Sequence, residues 1–122
     1  MILLDTNAIL WVLAKHPRAG PLAQRERLYI SPASLLELAY LVEVGKVREA
    51  PGHTLAEVAN YPRWQVDNIP SEELFRGAMG LSWTRDPFDR LIAAHARQRR
   101  WLLATGDGHL HEHLGPEAVL SL

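Results

Sequence analysis

The sequence contains no cysteine and very little lysine, and both facts narrow its possible chemistry. Without cysteine, the chain of 122 residues has no disulfide, no thiol nucleophile and no cysteine-ligated zinc. Lysine occurs only at Lys15 and Lys46, so nearly all of the 13 basic residues are arginines, which grip carboxylates and phosphates through a planar fork. The formal net charge of -1 provides no overall positive field for a nucleic-acid backbone, so any such binding has to be local.

Repeats, low-complexity segments and long hydrophobic runs are also absent. The apolar stretch MILLDTNAILWVL is interrupted by Asp5, has no basic segment before it and is too short to span a bilayer, so we expect a cytoplasmic protein with no membrane partner. Hydrophobic residues make up 48% of the chain and charged residues 22%, which is typical of a folded globular protein. We expect residues 1–122 to form a single domain.

Short apolar runs alternate along the chain with segments that carry helix start signals. The predicted strands are Met1–Leu4, Leu28–Ile30, Trp64–Ile69, Trp101–Ala104 and Ala118–Leu120. Helices are predicted between them, beginning near residues 8, 32, 54, 71 and 86. Strands that alternate with helices predict an α/β fold, here a three-layer α/β/α sandwich with a mostly parallel sheet of four to five strands.

Acidic residues lie near the predicted carboxyl ends of strands, where ligands bind in sheets of this kind. Asp5 ends the first strand, Asp107 follows the fourth, and Asp89 lies in the first turn of the helix that leads into the fourth. Glu37 lies one to two turns into the helix after the second strand, on an apolar stripe where an uncompensated carboxylate is costly. The topology therefore predicts that these carboxylates converge on one edge of the sheet.

Clustered carboxylates raise one another's pKa unless a positive partner lies among them. For a set of oxygen ligands the usual partner is Mg²⁺ or Mn²⁺. Such an ion lowers the pKa of bound water and stabilises charge on phosphate oxygens, which suits hydrolysis of phosphodiesters. Thr105, two residues before Asp107, is predicted to orient a coordinating carboxylate or water.

Single acids in this set also have a structural interpretation. Asp5, Asp86 and Asp107 stand where a helix N-cap belongs, and Asp86 and Asp89 fit a capping-box-like turn with Pro87 at the first helical position. We assign Asp86 mainly to capping and treat the joint occurrence of the other acids as the functional signal.

The acids fall in four stretches, LLDTNAILW, SPASLLELA, RDPFDRLIAAHA and LLATGD. In their order and spacing the chain resembles PIN-domain ribonucleases, in particular VapC-type toxins of type II toxin–antitoxin systems, over nearly its whole length. The resemblance implies a PIN-like fold and metal-binding acids, with supporting polar residues beside them. The implied metal-binding acids are Asp5, Glu37, Asp89 and Asp107, and the supporting residues are Asn7 and Thr105.

The same resemblance implies an activity and partners. It implies an endoribonuclease that depends on Mg²⁺ or Mn²⁺, a homodimer, and a VapB-like antitoxin whose C-terminal segment lies in the active-site groove. Two departures from the family pattern stand out. Thr84 and Arg85 precede Asp86 where relatives often have histidine, and the glycines on either side of Asp107 make that carboxylate the least firmly placed.

Basic residues and histidines near these stretches are the remaining candidates. Arg85 and Arg90 flank the proposed metal site and are predicted to contact RNA phosphate or to hold the acidic cluster. His109 and His113 have the i, i+4 spacing of a zinc pair, but no third ligand follows at a tetrahedral-site spacing, so no zinc site is predicted and the role of the cluster with His111 stays open.

Other functions fit less of the sequence. A phosphoacceptor domain needs a positioned lysine late in the chain, and both lysines are in its first half. A housekeeping PIN nuclease in RNA processing would carry the same acids, and a neighbouring antitoxin gene would distinguish the toxin from it. A catalytically silent PIN module would bind partners without cleaving RNA, and metal-dependent cleavage would exclude it.

Overall fold

Five short parallel strands form one sheet in the structure, a computed structural model that describes residues 1–122. The strands are β1 (Ile2–Leu4), β2 (Leu28–Ile30), β3 (Trp64–Val66), β4 (Leu102–Thr105) and β5 (Val119–Ser121). Their order across the sheet is β3-β2-β1-β4-β5, with every pairing parallel. The predicted α/β architecture is confirmed. Because the chain order reverses between β1 and β4, a crevice is expected outside the carboxyl ends of these two strands.

Helices connect the strands. They are α1 (Thr6–Leu13), α2 (Pro32–Glu43), α3 (Leu55–Ala59), α4 (Ser71–Met79), α5 (Pro87–Arg99) and α6 (Gly108–Leu114), with 3₁₀ helices at Pro17–Leu22 and Pro116–Ala118. The sequence indicated α6 only through the N-cap position of Asp107, without predicting the helix itself, and it did not predict the 3₁₀ helices. None of the helices combines the length and apolar character needed to cross a membrane.

Apolar layers on both faces of the sheet explain why its central strands are continuous hydrophobic runs. Leu3 and Leu103 pack into one core cluster with residues of α4 and α5. Ile2, Leu4 and Ile30 pack into a second cluster with residues of α1, α2 and α3. A strand that is covered on both faces has no polar side to alternate with its apolar side.

Only β2 has the predicted bounds. The other four strands differ from the sequence-based expectation by one residue at one or both ends, or by three residues at the end of β3, and two of these differences have local reasons. The third strand ends at Val66, which lies opposite Ile30, the last residue of β2. The Asp67 N–H makes the final bond of this ladder to the carbonyl of Ile30, and the Asp67 side chain then turns toward α5. The fourth strand begins at Leu102 because Trp101 still belongs to the helix end. Arg100 takes the left-handed conformation, with φ of 58°, and the Trp101 N–H closes on the carbonyl of Ala96.

Candidate functional site

Asp5 is the residue at which the central strand ends and α1 begins. Its N–H donates to the carbonyl of Ala104 in β4 at 3.1 Å, which fixes it beside the neighbouring strand. Its side chain caps α1 by accepting from the Ala8 N–H at 2.7 Å, and the residue is only 7% exposed. The capping and functional interpretations therefore hold together, since one carboxylate oxygen caps the helix and the other is left for further contacts.

Glu37 is tied to the start of α1 by hydroxyl groups that sequence reasoning missed. The Thr6 hydroxyl donates to Glu37 Oε1 and lies 3.1 Å from the hydroxyl of Ser34, which is fully buried. Thr6 directly follows Asp5, so its hydrogen bond links the helix that carries Glu37 to the strand end that carries Asp5. The only sequence signal was position: Thr6 is adjacent to one acid, and Ser34 lies one helical turn before the other.

Asp89 lies in the first turn of α5, which Asp86 caps as the sequence suggested. Asp86 Oδ1 accepts from the N–H groups of Phe88 at 2.8 Å and Asp89 at 3.3 Å, and Thr84 accepts from the Asp86 N–H. The cap holds the backbone at Asp89, whose own side chain is partly buried. Asp86 also adds its negative charge to the surroundings of Asp89 and Glu37.

Asp107 follows β4 and caps α6, accepting from the His109 N–H at 2.8 Å. Its own N–H donates to the Thr105 hydroxyl at 3.0 Å. The same Thr105 side chain lies close enough to Asp5 to lower the pKa of that carboxyl, against the effect of burial. Thr105 is fully buried and so bridges the two acids at the ends of β1 and β4. Its predicted role of orienting a metal-coordinating carboxylate or water stays a prediction.

The four acids share one electrostatic environment, which we call the acidic cluster: Asp5, Glu37, Asp89 and Asp107. The pKa of Asp89 is raised to about 7, mainly by burial and further by the negative charges of Asp86, Glu37, Asp107 and Asp5. Burial likewise raises the pKa of Glu37 and of Asp5, and neighbouring carboxylates raise them further. The raised pKa values thus indicate that negative charges are crowded here and that hydrogen bonds within the protein stabilise them only in part.

Oxygen donors, partial burial and excess negative charge fit a hard divalent cation. No three His, Asp or Glu side chains are grouped tightly enough to hold a metal ion as they stand. To hold an ion the carboxylates would have to move closer together, and the bound charge would then relieve the repulsion that raises their pKa values.

The remaining predicted site residues lie around this cluster. Asn7 is exposed in the first turn of α1, and Arg85 is exposed immediately before the cap of α5. Arg90 donates from Nε to the carbonyl of Thr84 at 2.8 Å. Neither arginine forms an ion pair with an acid, so both leave their charge for another partner.

The histidines are engaged in packing and in local hydrogen bonds. His113 stacks on Trp83 with ring centroids 4.5 Å apart, and His109 meets both rings edge-on. The His111 ring lies 2.9 Å from the Thr105 carbonyl. His95 is fully buried in α5 and bonds to Asp67 at 2.8 Å, away from the acidic cluster.

The fold and the site together define an α/β protein with carboxylates gathered at the carboxyl edge of a parallel sheet. The sequence profile of the PIN domain matches residues 2–113. Ribonuclease VapC22 of Mycobacterium tuberculosis (strain ATCC 25618 / H37Rv) is 31% identical over 125 residues, which cover 97% of this chain and 95% of that protein. The chain belongs to the PIN-domain family, which confirms the resemblance found in the sequence.

Solved structures share the fold at lower sequence identity. A toxin–antitoxin complex from Klebsiella pneumoniae contains a chain with a TM-score of 0.70 and 16% identity, covering 99% of this chain and 97% of that one. VapBC2 from Rickettsia felis, bound to a DNA fragment from its promoter, has a TM-score of 0.66 and 22% identity. The match covers 99% of this chain and 98% of that one. FitAB bound to the IR36 DNA fragment has a TM-score of 0.62 and 24% identity, and the match covers 99% of this chain and 94% of that one. At these sequence identities, the similarity of the three structures to this chain shows a shared fold.

Proposed function

We propose that this protein is a metal-dependent endoribonuclease that acts as the toxin of a toxin–antitoxin pair, formed by a single domain over residues 1–122. The observation that carries the proposal is the acidic cluster, in which burial and mutual repulsion raise the pKa of three carboxyl groups. The similarity to Ribonuclease VapC22 supports RNA as the substrate and cleavage as the activity. The proposal puts the protein in the cytoplasm, where it would meet RNA.

The acidic cluster would hold Mg²⁺ or Mn²⁺. When bound, such an ion supplies activation of water and stabilisation of charge on the phosphate oxygens. Asp5 is the most constrained of the four ligands because a helix cap and Thr105 both hold it. Glu37 is aimed by Thr6, and Asp89 is aimed by the cap that Asp86 provides.

Residues around the cluster would bind the substrate. Arg85 and Arg90 lie at the start of the helix that carries Asp89, and their unpaired charges suit RNA phosphates. Asn7 is exposed beside Asp5 and supplies a polar amide for the ion's water or for the substrate. Like-charge repulsion between RNA and the acids makes binding by the metal-free protein weak.

An antitoxin of the VapB kind is the proposed partner, and its C-terminal segment would lie in the active-site groove. The three structural neighbours contain toxin–antitoxin pairs or bind DNA together with their partner. An apolar cleft of about 180 Å³ between α1, α2 and residues 47–58 contains none of the four acids, but it adjoins α2, the helix that carries Glu37, and it suits apolar side chains of such a segment. It is lined by residues that include Leu10, Leu13, Leu38, Val42, Val47 and Leu55.

We also propose a homodimer. Large apolar side chains are exposed on α2 and α4, two helices that both pack against α5. They are Leu36, Tyr40, Val44, Phe75 and Met79. Light scattering on the isolated protein measures this directly, and a monomer mass at micromolar concentration would contradict the dimer.

RNA cleavage by the protein free of any antitoxin tests the function. We expect structured RNA to be cut in Mg²⁺ or Mn²⁺, and cleavage to stop in EDTA. Asp5→Asn and Glu37→Gln should each lower the cleavage rate at least about a hundredfold, because each removes a charged ligand. Glu43→Gln is the matched control, because Glu43 is exposed on the same helix as Glu37. This variant should cleave RNA at the wild-type rate.

Three outcomes would contradict all or part of the proposal. Cleavage that persists in EDTA or in both ligand variants would show that another site, or a contaminant, cuts the RNA. A folded protein that binds Mn²⁺ but never cuts RNA would favour the catalytically silent PIN module. A housekeeping PIN nuclease would cut RNA yet would have no neighbouring antitoxin gene and no growth-arresting effect when expressed alone.

A further inference from the structure

Arg18 is a basic residue at the carboxyl edge of the sheet that sequence reasoning did not single out. It lies in the 3₁₀ helix that follows α1, and its guanidinium reaches across to the ends of β4 and β5. There Nη2 donates to the main-chain oxygen of Leu122 at 2.9 Å and, at 3.5 Å, to that of Gly106, the residue before Asp107. Its position is therefore next to the acidic cluster.

Trp11 fixes the orientation of this guanidinium. The Arg18 Cζ atom lies 4.3 Å from the centroid of the Trp11 ring in α1, a cation–π contact. Gly106 lies against both of these side chains. A Cβ atom at this position would lie 2.7 Å from the Trp11 ring and would also collide with the guanidinium, so a larger residue would displace them. The side chain is thus held in place although the residue is exposed.

The Arg18 guanidinium has hydrogen-bond donors that the protein does not use. Its contacts with the protein use only Nη2, which leaves the N–H groups of Nε and Nη1 without an acceptor in the chain. No Asp or Glu side chain forms an ion pair with it. Its charge nevertheless reaches the cluster, since it lowers the pKa of Asp5 against the effects of burial and of Asp107. A stacked arginine with free fork donors beside a phosphodiester-cleaving site matches the geometry of a phosphate.

We propose that Arg18 binds a phosphate of the RNA substrate and guides the chain over the acidic cluster. This inference rests on the proposed nuclease function and names a substrate-binding residue for it. Trp11 and the carbonyls at the ends of β4 and β5 hold the guanidinium before the substrate arrives, so little side-chain freedom is lost on binding. The cationic group also offsets the repulsion between RNA and the acids.

Steady-state cleavage of a short fluorescent RNA, in Mg²⁺ and at several KCl concentrations, tests this role. Arg18→Gln should raise KM about tenfold and leave kcat within about threefold, because a phosphate contact is made in both the bound and the transition state. The slope of log(kcat/KM) against log[KCl] should become shallower by about 0.7, the value for one phosphate on a single strand. Arg18→Lys should keep most of the salt slope while raising KM, because the charge remains and the fork is lost.

Arg27→Gln is the matched control. Arg27 is exposed at the opposite edge of the sheet, where its carbonyl accepts from the N–H of Ile2, and its loss should leave both KM and the salt slope unchanged. Thermal melts of all variants separate binding from folding.

The outcomes separate this inference from the function on which it rests. If the wild-type protein cleaves RNA and Arg18→Gln matches it in KM and salt slope, Arg18 does not bind phosphate although the nuclease function stands. A fall in kcat and melting temperature with an unchanged salt slope would mean that Arg18 stabilises the backbone at Gly106 rather than binding phosphate, which also contradicts the proposal. A wild-type protein that does not cleave RNA contradicts both.

Discussion

At the scale of single residues, the acidic cluster costs stability in the absence of a cation. Asp89 is the clearest case, because its pKa is raised from the ordinary 3.8 to about 7 by burial and by the surrounding carboxylates. In the metal-free protein, the folded state therefore disfavours the ionised form of Asp89. Residues kept at such a cost are usually kept for function rather than for the fold.

Removing the charge of Asp89 should stabilise the metal-free protein while abolishing cleavage. A raised folded-state pKa means that the native state binds the proton more tightly, so wild-type stability falls as pH rises from about 3.8 to about 7. In EDTA, Asp89→Asn should match the wild-type protein near pH 4. At pH 7.5 it should exceed the wild type by about 1–2 kcal/mol, allowing for solvent screening at this partly exposed carboxyl group.

Urea denaturation in EDTA at the two pH values measures this difference. Glu43→Gln, exposed on α2, controls for the change in net charge. A variant that is less stable than wild type at pH 7.5 would mean that Asp89 supports the fold rather than a bound cation.

The sequence was least informative about the contacts of single side chains. The contacts of Thr6 with Glu37 and of Arg18 with Gly106 join residues 31 and 88 positions apart, and no local pattern announces them.

At the scale of elements, the sequence predicted the order of most helices and strands but missed features that depend on tertiary contacts. α6 contains Gly108 and three histidines, which are weak helix formers, and it forms where Asp107 caps it and Leu110 is buried. The third strand was predicted to run to Ile69 because the apolar pattern resumes there. It ends at Val66 instead, opposite the last residue of β2, and the Asp67 side chain turns to partners in α5.

Those partners form a buried link between the end of β3 and α5. Asp67 accepts from Arg99 Nε at 2.8 Å and bonds to His95 at 2.8 Å. Burial alone would raise the pKa of Asp67, but the hydrogen bonds from Arg99 and His95 outweigh it and lower the pKa. For His95, burial lowers the pKa more than Asp67 raises it, so the ring is favoured in its neutral form. The link orients α5, whose other end carries Asp89.

Asp67→Asn should lower the free energy of unfolding by about 1.5–3 kcal/mol at pH 7, since it weakens charge-assisted hydrogen bonds and leaves buried donors poorly paired. Glu72→Gln is the control, because its ion pair with Arg76 is exposed and should contribute less than about 1 kcal/mol. The cost of Asp67→Asn should shrink as pH falls below about 3.8, where the unfolded chain protonates Asp67 and its lowered pKa no longer stabilises the fold. Urea titrations across pH measure both effects, and an equal cost for the two variants would contradict the assignment.

At the scale of the whole molecule, the net charge of -1 is a near-cancellation between separate regions. Carboxylates gather at the carboxyl edge of the sheet, while arginines such as Arg18, Arg85 and Arg90 lie around that edge. The sequence predicted this edge correctly, because the chain order of a parallel α/β fold determines which strand ends meet. It could not predict how tightly the acids approach one another, since that depends on rotamers and on hydroxyl partners contributed by distant elements.

The central claim is that the acidic cluster cleaves RNA with water as the nucleophile. Cleavage of RNA in Mg²⁺ and H₂¹⁸O, followed by mass spectrometry of the new ends from the earliest turnovers, tests it most directly. If water is the nucleophile, one ¹⁸O atom enters the terminal phosphate monoester and no 2′,3′-cyclic phosphate forms at any time. An early cyclic phosphate without the label would contradict it, because the attacking oxygen would then be the 2′-hydroxyl of the RNA itself.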